Sequence, residues 1–429
     1  VGIVRRNWRQ YCCSLSDSAA QGVAGARAAG GGGSALVVPV DRRAPKVVIT
    51  TRRRAALEGQ RLLVALDAWP AWSRWPQGHY VAALGSSGDK SVETAVLLRE
   101  HDIATGEWSS ELLACLPPEG AAYKIGAHNS AGRVDLTALP VCSIDPPNCR
   151  DIDDALHVVP LGDGSGNFEV GVHIADVTHF VAAGSLLDAE AARRGTSTYL
   201  VERRLDMLPG LLTTEPCSLR AGVDRFAFSV LITMTPDADV VDARFCRSII
   251  HSKAALAYSQ AQLLIDDPNS AAAAVPAPAS PAVAAEVARS VRQLNTLAKK
   301  LRARRMDAGA LTLASPEVRF VLENESESPL DVQLYQLLES HALVEEFMLL
   351  ANITVGKRIL RTFPTLALLR RHPAPTRQQF DALLSAAAAV GVELDIEDSK
   401  RLADSLDAAT READPYFNKL LRIAATRCM

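Results

Sequence analysis

No C-x-x-C pair occurs among the eight cysteines, which are scattered at Cys12, Cys13, Cys115, Cys142, Cys149, Cys217, Cys246 and Cys428. That argues against a zinc ribbon and a disulfide framework, and it fits a reducing intracellular compartment. Long hydrophobic runs are missing too. None reaches the roughly 18 residues that would read as a membrane-spanning helix, and no secretory signal is visible. An excess of one charge is also lacking. Lysine plus arginine number 46 and aspartate plus glutamate 49, a net charge of −3 that advertises no general attraction to nucleic acid. Nor is there an initiating Met. Val1-Gly2-Ile3-Val4 already reads as a strand and Met429 falls inside a helical pattern, so a piece of a longer protein is expected.

What is present is a globular composition, 48% hydrophobic and 22% charged, on a chain long enough for about two to four domains. The neutral balance hides two basic patches. One is Arg52-Arg53-Arg54. The other is Arg289, Arg292, Lys299, Lys300, Arg302, Arg304 and Arg305, which reads equally as a solvated helix face or as a groove for a phosphate backbone. Residues 1–125 read as short strands between Gly/Pro/Ser/Asp turns: Val1–Val4, Val37–Val40, Lys46–Thr50, Gln60–Leu66, His79–Leu84 and Thr94–Leu98. Such spacing predicts a small β-barrel of the OB type. A Gly/Ala-rich stretch near residues 16–36, centred on Ala24–Gly33, is expected to be a flexible loop.

From residue 126 to 429 the pattern is mixed, and the whole chain is expected to be α+β. Glu169–Val177 alternates as a strand, with Val170, Val172 and Ile174 on one face. Arg225–Thr235 and Val240–Ile250 are expected to form a hairpin. Residues 253–266 read as helix. Ala271–Ala285, an Ala/Pro tract, reads as a disordered insertion. Helices are then predicted over 283–308, 331–361, 376–391, 396–407 and 416–429. No internal repeat is evident.

The chemistry concentrates in Ser143-Ile144-Asp145-Pro146-Pro147-Asn148-Cys149-Arg150-Asp151-Ile152-Asp153-Asp154-Ala155-Leu156-His157-Val158. Four carboxylates this close repel one another unless a cation neutralises them. An all-oxygen donor set suits Mg²⁺, which takes one or two carboxylates plus waters and substrate phosphates. Pro146-Pro147 forces an extended turn after Asp145. Asp151, Asp153 and Asp154 are expected to begin the next strand, Asp151 and Asp153 on one face and Asp154 on the other. A surface acidic turn is the plain alternative, and Ile152, Ala155 and Leu156 weigh against it by pulling the segment inward. An EF-hand fails, because the sixth position is not Gly and a strand follows. By residue type alone, Tyr199 reads as a half-buried strand tyrosine, and His173 and His179 as structural histidines. Phe320 is open between a core strand residue and a ligand contact.

The acidic segment resembles the RNB-domain (ribonuclease II) family of 3′→5′ exoribonucleases. Further stretches carry the likeness: Gly171-Val172-His173-Ile174-Ala175-Asp176-Val177-Thr178-His179-Phe180, Arg194-Gly195-Thr196-Ser197-Thr198-Tyr199-Leu200, Asp206-Met207-Leu208-Pro209, Cys217-Ser218-Leu219, Asp224-Arg225-Phe226-Ala227-Phe228 and Val344-Glu345-Glu346-Phe347-Met348-Leu349-Leu350-Ala351-Asn352. Residues 1–125, with Arg6-Asn7-Trp8-Arg9 and Asp41-Arg42-Arg43-Ala44-Pro45-Lys46, resemble that family's second cold-shock (OB) domain, and 126–429 its RNB domain. The resemblance implies Mg²⁺-dependent hydrolysis of single-stranded RNA from its 3′ end, releasing 5′-monophosphates. It implies catalytic and metal-binding roles for Asp145, Asp151, Asp153 and Asp154, with Asp153 the acid whose loss abolishes catalysis. It implies RNA contacts for Tyr199, Phe320 and, at the ribose, Glu345. Exosome core subunits as partners, rRNA processing and nuclear residence follow from it alone. The family's Ser-Pro-Ile-Arg-Arg-type stretch and its S1 domain have no counterpart here, so weak activity, or a non-catalytic RNA-binding or scaffold role, is the competing expectation.

Overall fold

The computed structural model describes residues 8–16, 33–118, 120–126, 128–201, 203–276, 280–313, 318–322, 329–334, 337–414 and 416–429. They fall into two compact units, 1–108 with 192–200, and 109–191 with 201–429. Among the described residues no helix is long and apolar enough to cross a membrane.

The first unit is a closed five-stranded barrel with the order β1-β2-β3-β5-β4. Its strands are β1 (Gln10–Leu15), β2 (Gly33–Pro39), β3 (Val47–Thr51), β4 (Gln60–Ala68) and β5 (Gln77–Ser86). Alternate side chains point inward along each strand, so Cys13, Ala35, Val37, Val47, Ile49, Leu62 and Val64 fill the interior. Parallel pairing of β3 with β5, Val48 opposite Gln77, closes the ring. This is the OB-type barrel the turn spacing predicted. Val1–Val4 and all of Ala24–Gly33 but its last residue lie outside the described residues.

Thr94–Leu98 is not a strand. It lies in a helix, Lys90–Glu100, started by Asp89, whose carboxylate accepts from the backbone of Ser91 and Val92. Val92 and Val96, four apart, are buried, as is Leu98. The apolar run Val96-Leu97-Leu98 fits either period, and the cap decides it. The strand the sequence left unassigned is β1, which buries both Cys12 and Cys13.

The second unit is built on a seven-stranded sheet. Its order is Ala254–Ala257, β7 (Cys142–Asp145), β8 (Asp154–Pro160), β9 (Phe168–Ala175), Asp224–Met234, Val240–His251 and β6 (Val134–Asp135). The hairpin expected of Arg225–Thr235 and Val240–Ile250 is there, with Val230 opposite Phe245. Leu156, Val158, Val170, Val172, Val230 and Ile232 form the face that packs on helices Tyr258–Asp266, Pro281–Asp307 and Glu339–Thr362. The opposite face carries Ala155, Ala175, Ala227 and Leu231, packed with Ile152 and Leu219. A row of fully buried polar side chains crosses it. His157 Nδ1 lies 2.8 Å from His173 Nε2, His173 Nδ1 2.7 Å from Ser229 Oγ, and Ser229 Oγ 2.6 Å from Ser248 Oγ. Helices Arg377–Ala389, Ser399–Ala408 and Phe417–Thr426 gather around their own core of Phe380, Leu383, Leu402, Leu406, Phe417 and Leu421.

Three further expectations are corrected. Residues 253–266 are not all helix, because Ala254–Ala257 is an edge strand parallel to β7, with Ala257 opposite Asp145. The Ala/Pro tract is not a disordered insertion throughout. Ala271–Ala274 is a helical turn, Ala274 and Val275 are buried in the main core, and Pro281 opens the long helix behind a Ser280 cap. Leu334 belongs to a strand, Pro329–Leu334, and the helix predicted from residue 331 begins at Glu339. The C-terminal half of the basic patch of Pro281–Asp307, Lys299 to Arg305, is a paired face among the described residues. Lys300 and Arg304 each lie 2.9 Å from an acid of the hairpin turn, Asp237 and Asp239, and Lys299 lies 2.9 Å from Glu339.

Candidate metal centre

β7 ends on Asp145 and β8 begins at Asp154, so the four acids flank a loop. Asp154 starts its strand as expected. Asp151 and Asp153 precede it: the backbone on either side of Asp151 is held by Ser218 and Leu219, and the Asp153 carbonyl continues the pairing with β9. Ser218 Oγ accepts from Ile152 N at 3.1 Å and donates to Arg150 O at 2.8 Å. Leu219 N donates to Ile152 O and Ala175 N to Asp153 O, both at 2.9 Å. Asn148 takes φ +63°, a left-handed turn that Asn tolerates. Ile152 is buried at 4% exposure and anchors the loop to the sheet face that carries Ala155 and Ala227.

The electrostatics follow from that anchoring. Burial, partly offset by the nearby Ser143 hydroxyl and reinforced by the charges of Asp154, Asp153 and Asp151, pushes the Asp145 carboxyl up to about 7. Burial, with repulsion from Asp153, raises Asp154 to about 6. Asp153 is raised by burial and by Asp151. Asp151 is the exception. Burial alone would raise it, but the Arg204 guanidinium bonded to it holds it below the usual carboxylate range. Arg204 also grips Asp206. Among the described residues, no three or more His, Cys, Asp or Glu are drawn together as a ready-made metal cage. The donor chemistry nevertheless fits a hard cation, and Asp145 Oδ2 is buried without any hydrogen-bond partner, an orphan that a cation would satisfy.

The remaining expected residues divide. Tyr199, in the two-residue strand Thr198–Tyr199, is 72% exposed rather than half-buried. The backbone of Phe320 pairs with Val332 in the hairpin of Val318–Leu322 and Pro329–Leu334, and its side chain lies outside the described atoms. Glu345 is an ion-pair partner, 3.0 Å from Arg305 and 3.9 Å from Arg302. Its neighbour Glu346 is buried and 2.6 Å from Arg305. His173 is part of the buried polar row, as a structural histidine would be, and the exposed His179 lies 3.3 Å from the Tyr123 hydroxyl. Sequence reasoning missed Arg204 and the clamping role of Ser218. Both lie in or beside stretches that carry the family resemblance, but nothing local marks an arginine or serine as the partner of a loop so far upstream.

Residues 133–429 match the RNB domain, and residues 34–102 the Dis3-like cold-shock domain 2 (CSD2). The exosome complex exonuclease RRP44 homolog A of Arabidopsis thaliana is 51% identical over 429 residues, covering 100% of this chain and 44% of that protein. The Homo sapiens exosome complex exonuclease RRP44 is 46% identical, with 100% and 42% covered. The chain thus spans less than half the length of these relatives. Among solved structures, Mycoplasma genitalium RNase R in complex with ribose methylated single-stranded RNA superposes with a TM-score of 0.76 at 19% identity, covering 100% of this chain and 63% of that one. Yeast Ssd1, a pseudonuclease, gives 0.74 at 19%, covering 100% and 50%. A nuclease and a pseudonuclease share this fold, so the chemistry has to be read from the residues.

Proposed function

This chain belongs to the RNB-domain family, and we propose that it carries the catalytic centre of a Mg²⁺-dependent 3′→5′ exoribonuclease that hydrolyses single-stranded RNA to 5′-monophosphates. The observation that carries the reading is the partly buried, mutually repelling set of acids with its orphan Asp145 Oδ2. Such a set costs stability and is explained by a cation that offsets it. Asp145, Asp151, Asp153 and Asp154 would hold the metal, which when bound supplies an activated water and polarises the scissile phosphodiester. The protein's own contribution is to fix the donors. Ser218 and Leu219 pin the loop backbone and Arg204 orients Asp151. The exposed Tyr199 ring would stack on a base near the 3′ end, a contact that tolerates every base. Phe320 would act as a second clamp and Glu345 at the ribose. The names of the relatives support exosome core subunits as partners.

Degradation of 5′-labelled single-stranded RNA, with the Asp153→Asn variant beside the parent across a Mg²⁺ titration, tests the proposal. Hydrolysis should require Mg²⁺ and vanish in the variant while RNA binding persists. Equal behaviour of the two would instead support a non-catalytic RNA-binding scaffold.

A further inference from the structure

Arg225 stands at the start of the strand Asp224–Met234 and is 7% exposed. Among the described residues no carboxylate pairs with it. Its guanidinium serves main-chain carbonyls instead. Nε donates to Ser218 O at 2.9 Å, and Nη1 to Asp224 O at 3.0 Å. Burial, and then the charge of Arg220, lowers its pKa from the ordinary guanidinium value. A cation kept from water without an anion costs stability. The strand itself is already held by main-chain pairing with Val240–His251, so the grip on Ser218 calls for a reason beyond local folding.

What Arg225 holds is the stretch that shapes the acidic loop. Ser218 is fully buried. Its carbonyl accepts from Arg225 and also from Arg220 N at 2.8 Å. Its hydroxyl accepts from Ile152 N and donates to Arg150 O. Those two groups belong to the peptide units on either side of Asp151. Leu219 N holds Ile152 O, and Ala175 N holds Asp153 O. These belong to the peptide units on either side of Asp153. A residue has only the two soft dihedrals between its flanking peptide planes, so fixing both planes fixes its backbone. Three of the four bonds come from Ser218 and Leu219, and the fourth from β9.

We propose that Arg225 is a positioning residue for the cation site: by holding the Ser218 carbonyl it sets the stretch that fixes the main chain around Asp151 and Asp153. The inference rests on the function proposed above and extends its machinery to a side chain that contacts none of the four acids. Arg204 acts on the Asp151 carboxylate directly. Arg225 acts on the backbone beneath two acids at once, through Ser218. Residues that orient a metal's ligands without touching the metal change its affinity by about 10- to 100-fold.

The test is the Mg²⁺ affinity of the full chain, read by isothermal titration without RNA. Arg225→Met keeps the apolar stem and removes the unpaired charge; it should weaken Mg²⁺ binding about 10-fold. Arg225→Lys, with a single donor group in place of the fork, should fall between. Ser218→Ala should weaken binding about as much as Arg225→Met, and the double variant should lose no more than the worse single one, because both act through one stretch. In RNA decay, the Mg²⁺ concentration giving half the maximal rate should rise by the same factor in Arg225→Met, while the rate at saturating Mg²⁺ stays near the parent's. Arg305→Ala, destabilised at a distant helix pair, should keep the parent's Mg²⁺ affinity. Unchanged affinity in Arg225→Met, losses that multiply in the double variant, or an equal loss in Arg305→Ala each overturn the proposal. The two readings fail distinguishably. A parent that binds no Mg²⁺ sinks the cation site and Arg225 with it, whereas a parent that binds Mg²⁺ no better than Arg225→Met removes Arg225 alone.

Discussion

Asp151 differs from its three neighbours because of one residue. Burial works on it as on the others, but Arg204 reverses the outcome. Replacing the guanidinium frees Asp151 to rotate. Arg204→Ala should therefore lower Mg²⁺ affinity and hydrolysis about 10- to 100-fold, the scale set by losing a residue that orients a ligand, with Arg204→Lys in between. Isothermal titration beside an RNA decay assay measures both; a variant with unchanged metal affinity would remove Arg204 from that role. Gly171 is a second single-residue constraint. A Cβ there would lie 2.1 Å from His157 Cε1 and 2.8 Å from His173 Nε2. Gly171→Ala should destabilise the fold by roughly 1–3 kcal/mol, seen as a lower midpoint in urea. His173 itself predicts a pH dependence. Burial, then the charge of His157, holds it well below its ordinary 6.5. The unfolded chain takes up a proton near that pH and the folded one does not. This contribution is intact above about pH 6.5 and is lost as the pH falls, at up to about 1.4 kcal/mol per unit. The stability lost between pH 7 and pH 5 should be greater for the parent than for His173→Asn. At this scale the acids were legible because four of them crowd a short segment. Arg204 was not, because its partner lies on a different element.

Among the elements, what could be read from sequence was whatever carries a long, clean period. Strands Asp224–Met234 and Val240–His251 and helix Pro281–Asp307 emerge almost where expected. The errors fall on short segments whose fate is set by partners. Ala254–Ala257 has helix-favouring residues and becomes a strand because β7 offers it an edge. Ala271–Ala274 becomes helical because the core beside Pro281–Asp307 takes in Ala274 and Val275. The pairing of helices Pro281–Asp307 and Glu339–Thr362 likewise depends on a contact no local pattern reveals, Arg305 against the buried Glu346. Removing only the cation strands a buried carboxylate. Arg305→Ala should cost about 3 kcal/mol, and adding Glu346→Gln should recover part of it, which a double-mutant cycle in urea resolves.

For the whole molecule, an OB barrel and an RNB domain follow from composition shifts and dispersed motifs, and the family matches over 34–102 and 133–429 agree. If the acids share a cation, ligation becomes part of folding stability. Mg²⁺ at a hundredfold excess over its Kd should stabilise the chain by about 2.7 kcal/mol. EDTA should abolish the gain, and Asp153→Asn should show none; a parent whose melting midpoint ignores Mg²⁺ would refute the shared site. The edge strand Ala254–Ala257 carries a last consequence. It is the neighbour that lies along β7 through Asp145 itself, yet it is synthesised long after the other acids have left the ribosome. A nascent chain therefore lacks the edge strand beside Asp145 until residue 257 has emerged, so the proposed cation site gains that neighbour only after the acidic loop and its partner strands have been made.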